Sequence, residues 1–259
     1  MKFSYKIVSL HNNRKTWMNA LDKSGVGAMF DAIAWRYDFL NHFLTLGIDN
    51  RWRRKAVGMI TAPEGSRFLD MASGTGDLAI MLVKKKHPRQ VVGVDISEGM
   101  LAVGRKKMEK RGISHQITLQ QEDCETLSFD SNSFDAVTTG FGIRNFRHPA
   151  KGLEQMYRVL KDGGEAVILE FSRPESKIWC TLFDAYFCYM LPFIGKRFSK
   201  HASAYTYLPE SVKAFPYGAD FAGMMREAGF TNVEYHPLMF GIAMIYKGVK
   251  APPDPPESV

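Results

Sequence analysis

The chain has 259 residues, 45% of them hydrophobic and 24% charged, which suits one large globular domain and excludes a disordered or fibrous protein. A net charge of +7 is a modest basic excess, open to anionic partners without naming one. Cys124, Cys180 and Cys188 have no C-x-x-C spacing, so neither a disulfide framework nor a zinc site is indicated, and they read as free thiols in a reducing compartment.

The first 21 residues carry no periodic pattern and read as an N-terminal arm. Their apolar residues Ile7, Val8 and Leu10 are too few for a signal peptide, and no run is long enough to span a membrane. Over residues 22–62 apolar positions recur at three and four (Met29, Phe30, Ile33, Tyr37, Leu40, then Trp52, Ala56, Val57, Ile60). This predicts a helical cap ahead of the first strand, with Asp49 or Asn50 capping its second helix.

Strands are then predicted at Arg67–Met71, Gln90–Asp95, Gln116–Gln120, Phe134–Gly140 and Glu165–Phe171, and helices at Asp77–Lys86, Glu98–Lys110 and Pro149–Leu160. Such alternation gives a doubly wound α/β fold with a mostly parallel sheet, and ligands bind at the carboxyl ends of its strands. Lys161-Asp162-Gly163-Gly164 reads as a helix stop and turn. Residues 173–217 break the alternation as an insertion whose stretch Ile178–Phe193 is rich in aromatics, suited to packing on the core or to lining a greasy channel. A helix at Ala219–Ala228 and strands at Asn232–Pro237 and Gly241–Tyr246 follow, the strands forming an antiparallel pair that closes a seven-stranded sheet. The Pro-rich residues 251–259 read as a disordered tail, leaving 22–250 as a single domain.

Three acids mark the strand ends. Asp70 closes the first strand ahead of the turn Ala72-Ser73-Gly74-Thr75-Gly76, Asp95 closes the second, and Asp123 follows the third. Glycines let the backbone approach a ligand. A carboxylate at Asp70 repels a pyrophosphate but suits an ammonium. With Asp95 for a ribose and Asp123 for an adenine amine, the set fits S-adenosylmethionine better than NAD, although Gly74-x-Gly76-x-x-Ala79 also matches the dinucleotide pattern.

The segment Leu69-Asp70-Met71-Ala72-Ser73-Gly74-Thr75-Gly76-Asp77-Leu78 resembles the cofactor motif of class I S-adenosylmethionine methyltransferases, with alanine at the first glycine position. Tyr37-Asp38-Phe39-Leu40-Asn41, Phe141-Gly142-Ile143-Arg144-Asn145-Phe146, and Arg158–Gly164 running on to Glu170-Phe171-Ser172 narrow the resemblance to the menaquinone/ubiquinone C-methyltransferases. Thr45, Asp49, Gly140 and Asp162 depart from the family pattern.

The resemblance implies a Rossmann-like sheet and C-methylation of a polyprenylated quinol, most simply demethylmenaquinol, with a methoxy-benzoquinol as the alternative. It implies that Gly74, Thr75 and Gly76 hold the methionine portion of the cofactor, Asp95 the ribose, and Asp123 with the Cys124 backbone the adenine. It also implies that Arg144 organises a water or steadies a developing phenolate, assisted by Asn145 and Tyr37. His148, a rival base, precedes Pro149 and reads as a helix-start residue. No metal and no nucleic acid are expected. The expected setting is the cytoplasm with transient contact at the inner membrane face, and a homo-oligomer is left open. An RNA methyltransferase, a silent partner in quinone synthesis and an NAD oxidoreductase rank below.

Overall fold

The computed structural model describes residues 45, 47–185 and 203–252, together with 25, 27–32 and 34. The arm 1–21, Tyr37 with the motif that follows it, most of the stretch after Ala185 and the end of the tail lie outside the described residues.

The elements run α1 (Ile48–Gly58), β1 (Arg67–Met71), α2 (Asp77–Lys86), β2 (Gln90–Asp95), α3 (Glu98–Lys110), β3 (Ile117–Gln121), β4 (Phe134–Gly140), α4 (Pro149–Val159) and β5 (Leu160–Phe171), then α5 (Lys177–Ala185), α6 (Ser203–Ala214), α7 (Ala219–Glu227), β6 (Thr231–Leu238) and β7 (Ala243–Val249). The seven strands form one sheet in the order β3-β2-β1-β4-β5-β7-β6. Every pairing from β3 to β5 is parallel, and β7 runs antiparallel to both β5 and β6. The doubly wound sheet with a closing antiparallel pair is therefore present.

Alternation explains the two-sided core, since successive strand residues point to opposite faces. Phe68 and Val91 pack with Trp52, Leu82 and Met108 from α1, α2 and α3. Their neighbours Leu69 and Val92 pack with Met156 of α4 and Phe221 of α7 on the other face. Strands covered on both sides read as continuous apolar runs, which is why β1, β2 and β4 begin and end where the sequence predicts.

Several boundaries differ from expectation. Gly47, at φ +74°, is the residue that caps α1. Asp49 lies in the first turn, where it accepts from Thr45 Oγ1 at 2.8 Å and pairs with Arg53. β5 starts at Leu160, because Gly163 N–H bonds Lys250 O and Lys250 N–H bonds Gly164 O, extending the ladder through the predicted turn. β3 is displaced by one residue, and β7 begins at Ala243 after a 3-10 turn over Met239–Gly241.

Candidate functional site

The carboxyl ends of β1, β2 and β4 meet at two adjoining clefts of about 670 and about 340 Å³ that share Ala72, Gly74 and Gly140. The larger is lined mainly by Asp95, Met100, Asp123, Cys124, Phe141, Asn145 and Phe146, the smaller by Arg53, Asp70, Thr75 and Asp77 among others.

The turn after β1 carries three left-handed residues, Ala72 (φ +51°), Gly74 (φ +54°) and Gly76 (φ +79°). That geometry turns Gly74 N–H toward Asp95, whose Oδ2 accepts it at 2.8 Å, while Asp95 Oδ1 accepts Ser97 N–H at 2.9 Å. Gly142 must also lack a side chain, because a Cβ there would sit 2.5 Å from the Cβ of Ala72. The loops after β1 and β4 thus touch across the cleft floor.

Asp70 is fully buried. Its Oδ1 accepts from Thr138 Oγ1 at 2.8 Å, whereas Oδ2 has no hydrogen-bond partner. Loss of water raises its pKa to about 7, against smaller lowering effects from the Thr138 bond, the charge of Arg53 and the Ala79 backbone N–H. Burial also raises Asp95, opposed by its backbone donors. The Cys124 thiol is held well above its ordinary range by burial, then by the charge of Asp95. Asp123 Oδ1 accepts Glu125 N–H at 2.9 Å.

The predicted residues separate into groups. Asp70, Gly74, Thr75, Asp95, Asp123, Cys124 and Asn145 all line one cleft or the other. Gly76 is among the lining residues of neither; it caps α2 from behind. Thr75 is buried and accepts from Lys107 Nζ at 3.1 Å. Arg144 turns inward from the 3-10 turn Ile143–Asn145: its Nη1 donates to Glu170 Oε1 at 2.7 Å and to the Phe141 carbonyl, and its N–H donates to Glu170 Oε2 at 3.1 Å. Glu170 is fully buried and Arg144 nearly so. His148 caps α4 ahead of Pro149. Tyr37 lies outside the described residues.

Other lining residues went unflagged in the sequence. Arg53 sits in the basic run Arg51–Lys55, and it is buried, paired with Asp49 and 5.4 Å from the centroid of the Phe141 ring. Phe30 reaches the larger cleft from a segment whose spacing shows only an apolar stripe. Glu125, beside Asp123, lines it as well and accepts His148 N–H at 3.1 Å.

The unpartnered Oδ2 tests the fit of S-adenosylmethionine. A buried carboxylate oxygen without a donor is costly, and an ammonium in the smaller cleft supplies the missing donor. The larger cleft joins it at Gly74 and offers Asp95 and Asp123 to hydroxyls and an amine. The residues present fit the cofactor.

The sequence matches the ubiE/COQ5 methyltransferase family over residues 18–250. It is 47% identical to the demethylmenaquinone methyltransferase of Bacteroides fragilis over 225 residues, covering 87% of this chain and 92% of that one. The chain belongs to this family. It is also 46% identical to the ubiquinone/menaquinone biosynthesis C-methyltransferase UbiE of Geobacter sulfurreducens, covering 92% of this chain and 94% of the relative. Among solved structures, a putative methyltransferase of Haloferax volcanii in complex with the Trm112 activator superposes with a TM-score of 0.63 at 18% identity, covering 86% of this chain and 98% of that one. A Thermotoga maritima methyltransferase superposes with a TM-score of 0.61 at 20% identity, covering 86% and 99%. At such identities the likeness is one of fold.

Proposed function

We propose that this chain is an S-adenosylmethionine-dependent C-methyltransferase that converts demethylmenaquinol to menaquinol. The observation that carries the cofactor half is the buried, half-satisfied carboxylate of Asp70 beside the glycine turn. The acceptor half is supported by family membership and by relatives named for demethylmenaquinone.

In this reading Asp70 accepts from the ammonium of the methionine portion, and Gly74, Thr75 and Gly76 shape the turn that receives it. Asp95 keeps lone pairs for the ribose hydroxyls beyond its two backbone bonds, and Asp123 with the Cys124 backbone meets the adenine. The cofactor, when bound, supplies a methyl group made electrophilic by a sulfonium. The protein's task is alignment and exclusion of water. Methyl transfer breaks the sulfur–methyl bond and releases a neutral thioether. The quinol hydroxyl first loses its proton to solvent or a base, leaving negative charge to be steadied at that oxygen, and the ring C–H proton leaves afterwards to restore the aromatic ring. Asn145 stands in the larger cleft to bond it, with Tyr37 assisting. Arg144 remains protonated and acts from behind, through its charge and through the turn it fixes with Glu170.

Transient peripheral contact with a membrane belongs to the same reading. Ile178, Met239 and Phe240 are 71%, 44% and 60% exposed, and Phe240 stacks on Trp179 at 3.9 Å between centroids. No helix among the described residues is long and apolar enough to cross a membrane. Sedimentation with anionic vesicles at low salt is expected to carry the protein down, and less of an Ile178→Ser, Phe240→Ser variant; identical sedimentation of the two removes the patch from the reading.

The deciding assay is transfer of labelled methyl to reduced demethylmenaquinone and to a methoxy-polyprenyl-benzoquinol, with products identified by mass. Methylation of the naphthoquinol carries the proposal. Methylation of the benzoquinol alone shifts it to the ubiquinone route, and cofactor binding without turnover of either removes the acceptor.

Arg144→Ala is expected to lose most turnover and to destabilise the fold by about 3–5 kcal/mol, because Glu170 is left buried and unpaired. The pair Arg144→Met with Glu170→Leu is expected to recover stability and not turnover. Recovery of both makes the ion pair structural only.

A further inference from the structure

Residues 27–32 are helical and meet the turn between β2 and α3. Phe30 enters the wall of the larger cleft beside Ile96 and Met100. Its neighbour Asp31 reaches the start of α3: Oδ1 accepts from Ser97 Oγ and from Gly99 N–H at 2.9 Å. Ser97 Oγ in turn accepts Met100 N–H at 3.2 Å, and Ser97 N–H is the donor to Asp95. One carboxylate therefore ties the covering segment to the residues that shape the ribose end of the cleft.

The fastening is fitted from both sides. Gly99 admits it, because a Cβ there would stand 2.8 Å from Asp31 Oδ1 and 3.3 Å from Asp31 Cα. Gly27 is buried, with its Cβ direction 3.8 Å from Ile96 Cγ2, so the segment rests on that side chain as well. Helix starts leave backbone donors open; here Gly99 N–H is taken by a side chain from a distant part of the chain, while Met100 N–H is taken by the N-cap Ser97.

We propose that Asp31 is a positioning residue that holds Phe30 over the bound cofactor, so that cofactor retention depends on a bond the cofactor does not itself make. The inference rests on the reading that the cleft takes S-adenosylmethionine. Asp31 is exposed, so its two bonds carry the modest strength of a helix cap. Losing such a cap speeds cofactor escape about fivefold.

The test is the dissociation rate of S-adenosylhomocysteine from the full chain by surface plasmon resonance. Asp31→Ala and Gly99→Ala are each expected to release it about fivefold faster. Asp31→Asn should stay within about twofold, since both bonds fall on one oxygen and an amide oxygen replaces it. Lys161→Ala, which breaks a pair with Asp135 away from both clefts, should leave the rate unchanged.

The double variant Asp31→Ala, Gly99→Ala should be no faster than either single, because both cut one link; general destabilisation adds instead. Unchanged rates in Asp31→Ala, or additive effects in the double, overturn the proposal while leaving the cofactor reading intact. Absence of any binding by the wild type overturns both.

Discussion

Asp70 and Asp95 end neighbouring parallel strands, both are buried, and burial raises the pKa of both. Their surroundings are nevertheless opposite. Asp95 is met by backbone donors on each oxygen, Gly74 N–H and Ser97 N–H, so the folded chain has organised that carboxylate before any ligand arrives. Asp70 accepts one hydroxyl, from Thr138, on Oδ1, and its Oδ2 makes no hydrogen bond, the nearby Ala79 N–H lowering its pKa only in part. The chain thus supplies donors where a neutral ribose is proposed to bind and withholds them where a cation is. A group destined for an ammonium gains most when its own protein leaves it unsatisfied.

The largest expected effect breaks the Asp70 side. Its folded-state pKa, about 7, lies above the unfolded value near 3.8. Between those values the folded chain keeps a proton that the unfolded chain has released, so apo stability falls as pH rises from 4 and levels off above 7. The penalty at pH 8 is of order 4 kcal/mol. Cofactor affinity runs the other way, rising about tenfold per pH unit below 7 because binding requires the ionised form. Asp70→Asn should flatten both profiles and weaken the cofactor about 100-fold. It should stabilise the apo protein at pH 8 by about 1–2 kcal/mol, the relief being offset by the amide's own unbonded hydrogens. Calorimetric titration and denaturant unfolding from pH 5 to 8 measure these quantities. An unchanged affinity profile in Asp70→Asn removes the ammonium role.

The mirror experiment is Asp95→Ala, where stability should move in the opposite direction. Two backbone N–H groups lose their acceptor, and the turn after β1 keeps only the Ser73 N–H to Val94 O bond to β2, at a cost of about 2 kcal/mol. Cofactor affinity should fall about tenfold. Thermal unfolding of the apo protein reads this directly, and a stabilised Asp95→Ala shows that the contrast between the two carboxylates is mistaken.

The sequence carries the strand ends and their acids well, because a carboxylate is costly inside a strand buried on both faces and tolerated where that strand ends. β1, β2 and β4 could be bounded to the residue because strands covered on both faces read as continuous apolar runs. What it does not carry is pairing over distance. Arg144 and Glu170 are separated by 26 residues and meet only because β4 and β5 are adjacent and in register. Glu165 meets Thr61 and Lys247 only once β5 lies between α1's exit and β7. Arg53 reads as one base among several, and its burial follows from Asp49 standing one turn earlier. Position along the chain shows that an acid ends a strand; the folded sheet shows which donor it meets.

The smallest expected effect concerns Ala72, which lies between the two carboxylates and lines both clefts. A non-glycine residue at φ +51° costs about 1–2 kcal/mol. Glycine removes that strain, adds about 0.5–1 kcal/mol of unfolded-state entropy, and vacates the space that the methyl now fills against Gly142. The balance predicts that Ala72→Gly stabilises the protein by about 0.5–1 kcal/mol in denaturant unfolding, with cofactor affinity changed less than about threefold. A loss of stability instead makes the Ala72 methyl a packing element that joins the β1 and β4 loops. In that case the separation of the two carboxylates depends on a side chain at a position where backbone geometry alone favours glycine.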